Sequence, residues 1–236
     1  MKAKLLGSAT AMALFAAVCS PAQAQGIASP FAGFYGGGHF GYGEAYYKGT
    51  FSSVPISIND LDLNGIAGGG QLGYNHQVTD FFGPGQHLIL GIEGDISFTD
   101  FKDSNYVFNG GSSLTIKGDV DLLASIRARL GMTFDNAMVF VTGGIAFANA
   151  DFTTRLEANP VNKSSLDATG GVVGGGFEFM AFQGVSIGAE GLYYFFSEKD
   201  GLSGNFGGVA GDRVKFDDAY VIRARVNVFF NTLFGG

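Results

Sequence analysis

Tyr220-Val-Ile-Arg-Ala-Arg-Val-Asn-Val-Phe-Phe230 is the stretch that decides the fold. Its even positions, Tyr220, Ile222, Ala224, Val226, Val228 and Phe230, form an unbroken apolar row, while Arg223, Arg225 and Asn227 hold odd positions. Side chains alternate between the faces of a strand, so this segment offers one face to hydrocarbon and the other to charge. The same parity recurs. Leu88, Leu90, Ile92, Ile96 and Phe98 oppose Glu93, Asp95, Ser97 and Thr99. Val120, Leu122, Ala124, Ile126, Ala128, Leu130 and Met132 oppose Asp121, Ser125, Arg127 and Arg129. Val185, Ile187, Ala189, Tyr193 and Phe195 oppose Ser186 and Glu190, and Val173, Phe177 and Phe179 oppose Glu178. Ile66, Leu72 and Tyr74 oppose Gln71, Asn75 and Gln77. Charge confined to one face in segment after segment is the pattern of a transmembrane β-barrel.

The parity carries energy. An Arg on the lipid face near the bilayer midplane costs roughly 2–4 kcal/mol. A one-residue slip of either arginine-bearing strand would expose two, roughly 4–8 kcal/mol per strand, so register is strongly specified.

The start of the chain reads as a targeting segment. Lys2 and Lys4 precede an apolar run from Leu5 to Val18, and Pro21-Ala22-Gln23-Ala24 ends in a small-x-small pattern. We expect a cleaved signal peptide over 1–24 and a single barrel domain over 25–236. The run is too short for a retained helical anchor, which needs about 20 apolar residues. Cleavage removes Cys19, the only cysteine, so the sheet must hold without disulfides. The full chain carries 39 glycines, 24 phenylalanines and only 15% charged residues, an unusual composition for a soluble domain. The net charge of −7 and the lack of a basic stripe exclude a nucleic-acid partner.

Eight strands are expected, near 31–46, 63–78, 87–100, 118–134, 137–151, 167–181, 184–198 and 216–230. The fold class is all-β, a closed eight-stranded antiparallel transmembrane barrel. Polar connections over 47–62, 101–117, 152–166 and 199–215 alternate with short ones: Thr79 to Gln86, Asp135-Asn136 and Phe182-Gln183. Such alternation fits a wall with one end facing the exterior and the other the periplasm. The first and fifth strands are too glycine-rich or too uniformly apolar to orient by parity.

Inside the expected barrel lie four carboxylates, Glu93, Asp95, Glu178 and Glu190, and four guanidiniums, Arg127, Arg129, Arg223 and Arg225. Isolated buried charge is prohibitive, so a structural network of salt bridges is expected. Strand adjacency pairs Glu93 and Asp95 with Arg127 and Arg129, and Glu190 with Arg223 and Arg225. A small charged pore is the alternative use of the same residues. Glu93 and Asp95 as a catalytic pair carry little weight, because i, i+2 acids on a strand are commonplace.

Other motifs point nowhere specific. Gly36-Gly-Gly-His-Phe-Gly-Tyr-Gly43 and Gly68-Gly-Gly-Gln-Leu-Gly-Tyr-Asn75 are near-copies containing the G-x-G-x-x-G spacing. Neither precedes a helix that could offer its N-terminus to phosphate, so no nucleotide or other cofactor is expected. His39, His76 and His87 lack metal-ligand spacing, so no metal is expected. A lipid-modifying enzyme built on His39 or His76 lacks a serine near either on its own strand. The tyrosines read as interfacial girdles.

Several motifs together give the chain a family look: Gly33-Phe-Tyr-Gly-Gly, Gly68-Gly-Gly-Gln-Leu-Gly-Tyr-Asn75, Thr142-Gly-Gly, Gly174-Gly-Gly-Phe-Glu178, Ala189-Glu-Gly-Leu-Tyr193 and Arg223-Ala-Arg-Val-Asn-Val-Phe-Phe230. In their order and spacing the chain resembles the opacity-type and outer-membrane immunogenic porin-family proteins, whose barrel is similar to the OmpA transmembrane domain. The resemblance implies a cell outer membrane location, insertion by the β-barrel assembly machinery, surroundings of outer-membrane lipid and lipopolysaccharide, and surface loops that meet host or environment. It implies a non-enzymatic role in envelope structure and surface contact, as a monomer or weak oligomer. Two departures stand out. Relatives usually end on the aromatic residue of the last strand, whereas Phe230 is followed by Asn231-Thr-Leu-Phe-Gly-Gly236, and relatives tend to carry tryptophan near the first strand, where this chain has Phe31.

Overall fold

The computed structural model describes residues 29–50, 57–80, 86–109, 112–156, 162–196 and 213–230. The expected signal segment 1–24 and the tail 231–236 lie outside these residues. Eight strands follow one another: β1 Gly33–Thr50, β2 Ser57–Asp80, β3 His87–Asn109, β4 Ser112–Phe134, β5 Ala137–Leu156, β6 Asn162–Phe182, β7 Val185–Phe196 and β8 Arg213–Phe229. Each pairs antiparallel with its neighbour, and β8 returns to β1, so the sheet closes into a barrel. Closure leaves no strand edge along the wall, which is what a sheet in hydrocarbon requires.

The outer face is apolar around the whole circumference. Phe34 and Phe40 on β1, Ile66 and Leu72 on β2, Ile96 and Phe98 on β3, and Ile126 and Leu130 on β4 all project outward. Val139 and Ile145 on β5, Val173 and Phe177 on β6, Ile187 and Phe195 on β7, and Ile222 and Val226 on β8 complete the belt. Phe98 is 68% exposed and Ile222 65%, far more apolar surface than a soluble protein tolerates in one continuous band. The structure also orients the strands that parity left open. β1 sends Tyr35, His39 and Ala45 inward, and β5 sends Met138, Phe140, Thr142, Ala146 and Ala148 inward.

Two expectations need correction. Most of the polar stretches expected as loops belong to strands: β1 runs to Thr50 and β2 starts at Ser57, β3 runs to Asn109 and β4 starts at Ser112, and β5 runs to Leu156 with β6 starting at Asn162. Of 199–215, Arg213 to Lys215 belong to β8 and the rest lies outside the described residues. The reason is solvation. β3 and β4 have 23 residues each, roughly 75 Å at about 3.3 Å per residue. The lipid band is only about 25 Å tall, so beyond it both faces of the sheet meet water and alternation disappears.

The second correction is Asp121, expected inward but exposed, while Leu123 is buried inside. The β4–β5 register shifts between Val120 and Leu122, and the β3–β4 register shifts between Phe98 and Phe101. A bulge inserts one extra residue and resets which parity faces inward, so Asp121 swings out just above the belt.

The near-copies Gly36–Gly43 and Gly68–Asn75 lie side by side in β1 and β2, with Gly38 opposite Gly70. Both are strand, not a loop before a helix, so neither offers a helix N-terminus to a phosphate. At the other end, the β4–β5 turn places Asp135 at φ 50°, a left-handed conformation that Asp tolerates, and the β6–β7 turn places Gly184 at φ 73°.

Candidate functional site

All eight charged residues expected inside are buried within the barrel. Register places Glu93 directly opposite Arg127, and Glu190 directly opposite Arg223. The contacts then cross the lumen. Arg127 bonds Glu93 through Nη2, with Asp95 Oδ2 at 3.2 Å and Glu190 Oε2 at 3.2 Å. Arg223 reaches Asp95 at 2.8 Å and Glu190 at 2.6 Å. Arg225 bonds Glu93 and lies 3.0 Å from Glu190 and 3.3 Å from Glu178. Arg129 bonds Glu178 and lies 3.8 Å from its expected partner Glu93.

Adjacent-strand reasoning therefore finds Arg127 with Glu93 but misses the chief partner of Arg129, which comes from β6. An eight-stranded barrel is narrow enough for a guanidinium to reach across it. Glycine on the neighbouring strand lets the backbones of the arginine-bearing strands approach closely. Gly144 stands opposite Arg127, and a Cβ there would lie 2.0 Å from Ile126 O. Gly41 stands opposite Arg223, where a Cβ would lie 2.1 Å from Ile222 O. The wall at these points has no space for any side chain.

Uncharged partners join the layer. The Tyr35 hydroxyl donates to Glu93 at 2.6 Å and accepts from Arg129 at 3.2 Å. Ser186 and Asn227 donate to Glu178 at 2.8 and 3.1 Å, and Ser125 donates to Asp95. The Arg129 guanidinium carbon sits 3.7 Å from the Phe140 ring centroid, a desolvated cation–π contact.

Sequence reasoning missed His39. Its Nδ1 lies 2.7 Å from Gln71 Oε1, and its Nε2 lies 2.8 Å from Ser97 Oγ and 3.2 Å from Arg223 Nη1. Because Gln71 Nε2 donates to Asn227 Oδ1 at 2.8 Å, Gln71 Oε1 must accept from His39. That places the ring proton on Nδ1 and turns the single Nε2 lone pair toward the donors Ser97 Oγ and Arg223 Nη1. The serine missing from the histidine's own strand comes from β3, 58 positions away. The arrangement resembles a nucleophile–base pair. Arg223 already occupies the base, however, and Ser97 and His39 are buried in the lumen. No signal in a single strand could have revealed this contact, since it joins three strands.

Apolar clusters lie on both sides of the charged layer. Toward the long-connection end, Ala45, Leu63, Phe101, Leu123, Val172, Tyr194 and Val221 pack together with their neighbours. Toward the short-turn end, Phe31, Tyr35, Ile89, Met138, Phe140, Met180 and Phe229 do the same. Among the described residues, no group of three or more His, Cys, Asp or Glu side chains is arranged to hold a metal ion.

The family match agrees with this architecture. Residues 10–230 match the family described as outer membrane protein beta-barrel domain. The chain is 28% identical over 218 residues to the 31 kDa outer-membrane immunogenic protein of Brucella melitensis, covering 82% of this chain and 86% of that one. The protein of the same description from Brucella suis aligns equally well. Among solved structures, Neisserial surface protein A is similar with a TM-score of 0.43 at 13% identity, covering 84% of this chain and 98% of that one. The attachment invasion locus protein Ail of Yersinia pestis has a TM-score of 0.37 at 12% identity, covering 84% and 99%.

Proposed function

The chain belongs to the outer-membrane β-barrel protein family, and from that premise we propose that it is a non-enzymatic, non-conducting scaffold. On this reading it holds its strand extensions and connecting segments at the cell surface, where they contact host or environment. The reading rests on one observation above all. The charged layer, with four guanidiniums and four carboxylates in mutual contact, lies between two apolar clusters. A water-filled channel needs a continuous polar lining, and here the lining is interrupted on both sides. The eight charged side chains then serve as a structural network, offering neither a conduction path nor a catalytic pair.

The remaining parts of the proposal follow from the premise. A signal peptide over 1–24 is removed, the 25–236 barrel is inserted by the assembly machinery, and the product is a monomer or weak oligomer in lipid and lipopolysaccharide. Planar-bilayer recording of the purified barrel tests the main point. We expect no steady unitary conductance, and steady openings altered by Arg127→Met or Arg223→Met would replace the scaffold with a pore. Lipopolysaccharide incubated with the barrel should keep its acyl chains, because the bonded His39 faces the lumen and not the lipid.

A further inference from the structure

We propose that Ser29–Ala32 is an N-terminal strap that seals the short-turn mouth of the barrel as an element separate from the wall. Sequence reading places Phe31 at the start of the first strand. In the structure β1 begins at Gly33, and Phe31 lies ahead of it, fully buried inside the mouth. Its ring meets Phe229 of β8 edge-on, with centroids 5.9 Å apart and planes at 89°. Ser29 is buried beside it.

The strap is tied by polar contacts to β2. Asn75 Nδ2 donates to Phe31 O at 2.9 Å, and Ser29 N donates to Gln77 Oε1 at 2.7 Å. Gln77 Nε2 lies 3.0 Å from His87 Nδ1, and the His87 amide donates to Thr133 Oγ1 at 3.0 Å, which continues the tie through β3 to β4. The strap also holds its own shape: Ala32 N donates to Ser29 O at 3.0 Å, and Phe31 N donates to Ser29 Oγ at 3.3 Å. Gly33 then adopts φ 102°, which turns the chain out of the mouth and into β1. That conformation is open to glycine and closed to nearly every other residue.

Two consequences distinguish the strap from ordinary packing. Phe31 touches the last strand while its carbonyl is held by the second, so the strap spans the β1–β8 seam where the barrel closes. It also shields the charged layer from water at one end, since Tyr35 and Phe140 belong both to its cluster and to the shell of Arg129. Removing the strap should open that mouth while leaving every strand pairing of the wall intact.

Cysteine accessibility tests this. Starting from a chain with Cys19→Ser, Met180→Cys reports on the short-turn cluster and Leu192→Cys on the opposite one. Both are reacted with a small maleimide in the folded, unheated barrel. Adding Phe31→Gly should raise labelling at 180 by about tenfold and leave 192 unchanged, as expected for a local opening. No rise at 180 in a barrel that still runs as the folded form overturns the proposal, and so does an equal rise at both sites, which means general loosening. If Phe31→Gly does not fold, Gly33→Ala is measured in its place with the same outcomes, since it misdirects the strap and keeps the phenylalanine.

Discussion

Glu93→Gln isolates what the charged layer contributes, because it removes one charge and almost no volume. Glu93 Oε1 takes Arg127 and, at 3.3 Å, Arg225 Nη1, while Oε2 takes Arg225 Nη2 and the Tyr35 hydroxyl. Whichever way a glutamine amide turns, its NH2 faces a donor. At least one charge-assisted bond is lost, about 1.5–3 kcal/mol, and four guanidiniums remain against three carboxylates. Breaking a buried ion pair from one side costs about 3–5 kcal/mol, and we expect Glu93→Gln to fall in that range. Arg225→Met should cost less, since Glu93 keeps Arg127, Glu178 keeps Arg129 and Glu190 keeps Arg223. The double variant restores charge balance, so it should be more stable than the sum of the single changes predicts, by about 2 kcal/mol. Reversible urea unfolding in lipid vesicles, followed by the mobility difference between folded and unfolded forms on a gel, gives all four stabilities. A Glu93→Gln loss below about 1 kcal/mol, or strictly additive changes, would refute the claim that these groups depend on one another.

Other expectations are simpler. Ile222→Arg, on the lipid face beside Arg223, should cost roughly 2–4 kcal/mol in the same unfolding assay. Gly144→Ala should prevent formation of the fast-migrating folded band, because its methyl would lie 2.0 Å from Ile126 O, whereas Gly191→Ala, with nothing within 4 Å of its Cβ, should fold as the parent does. The unheated protein should migrate differently from the boiled one, and identical mobility would contradict a closed barrel. Mass spectrometry of the exported protein should find Gln25 as the first residue.

What parity made legible was the wall within the lipid band. β8 declares itself because every residue there must choose between hydrocarbon and a charged interior, and β3, β4, β6 and β7 make the same choice. Outside the band the choice vanishes, which is why β3 and β4 continue well past the expected strand ends. Asp121 was misread for a related reason: one bulge at Val120/Leu122 reverses parity, and no local composition marks it. The lumen was legible as a set of residues and only partly as contacts. Neighbouring strands place Glu93 against Arg127, but Arg129 with Glu178 and His39 with Ser97 depend on the diameter of the closed sheet and the shear between strands. Those quantities belong to the whole barrel.

The placement of charge also answers a question that packing alone leaves open. A strand in a membrane wall is apolar outside by necessity. If its inner face were apolar as well, a one-residue slip would exchange two equivalent faces at little cost, and register would rest on the turns alone. Arg127 and Arg129 on β4, with Arg223 and Arg225 on β8, remove that freedom. A slip of both strands would bring four arginines to the lipid, roughly 8–16 kcal/mol at the midplane figure, and would strip the carboxylates of their partners. Buried ion pairs are weak contributors to stability compared with well-packed hydrocarbon, yet they discriminate strongly between one arrangement and its near neighbours. On that argument, replacing the whole layer with apolar residues of matching volume should leave a barrel of comparable resistance to urea but with mixed register. Disulfide trapping would read the mixture: a cysteine pair at Leu90 and Leu130, opposite each other in the present register, should cross-link fully in the parent and only in part in the apolar variant. Full cross-linking in both would mean that turn geometry, and not the charge layer, sets the alignment.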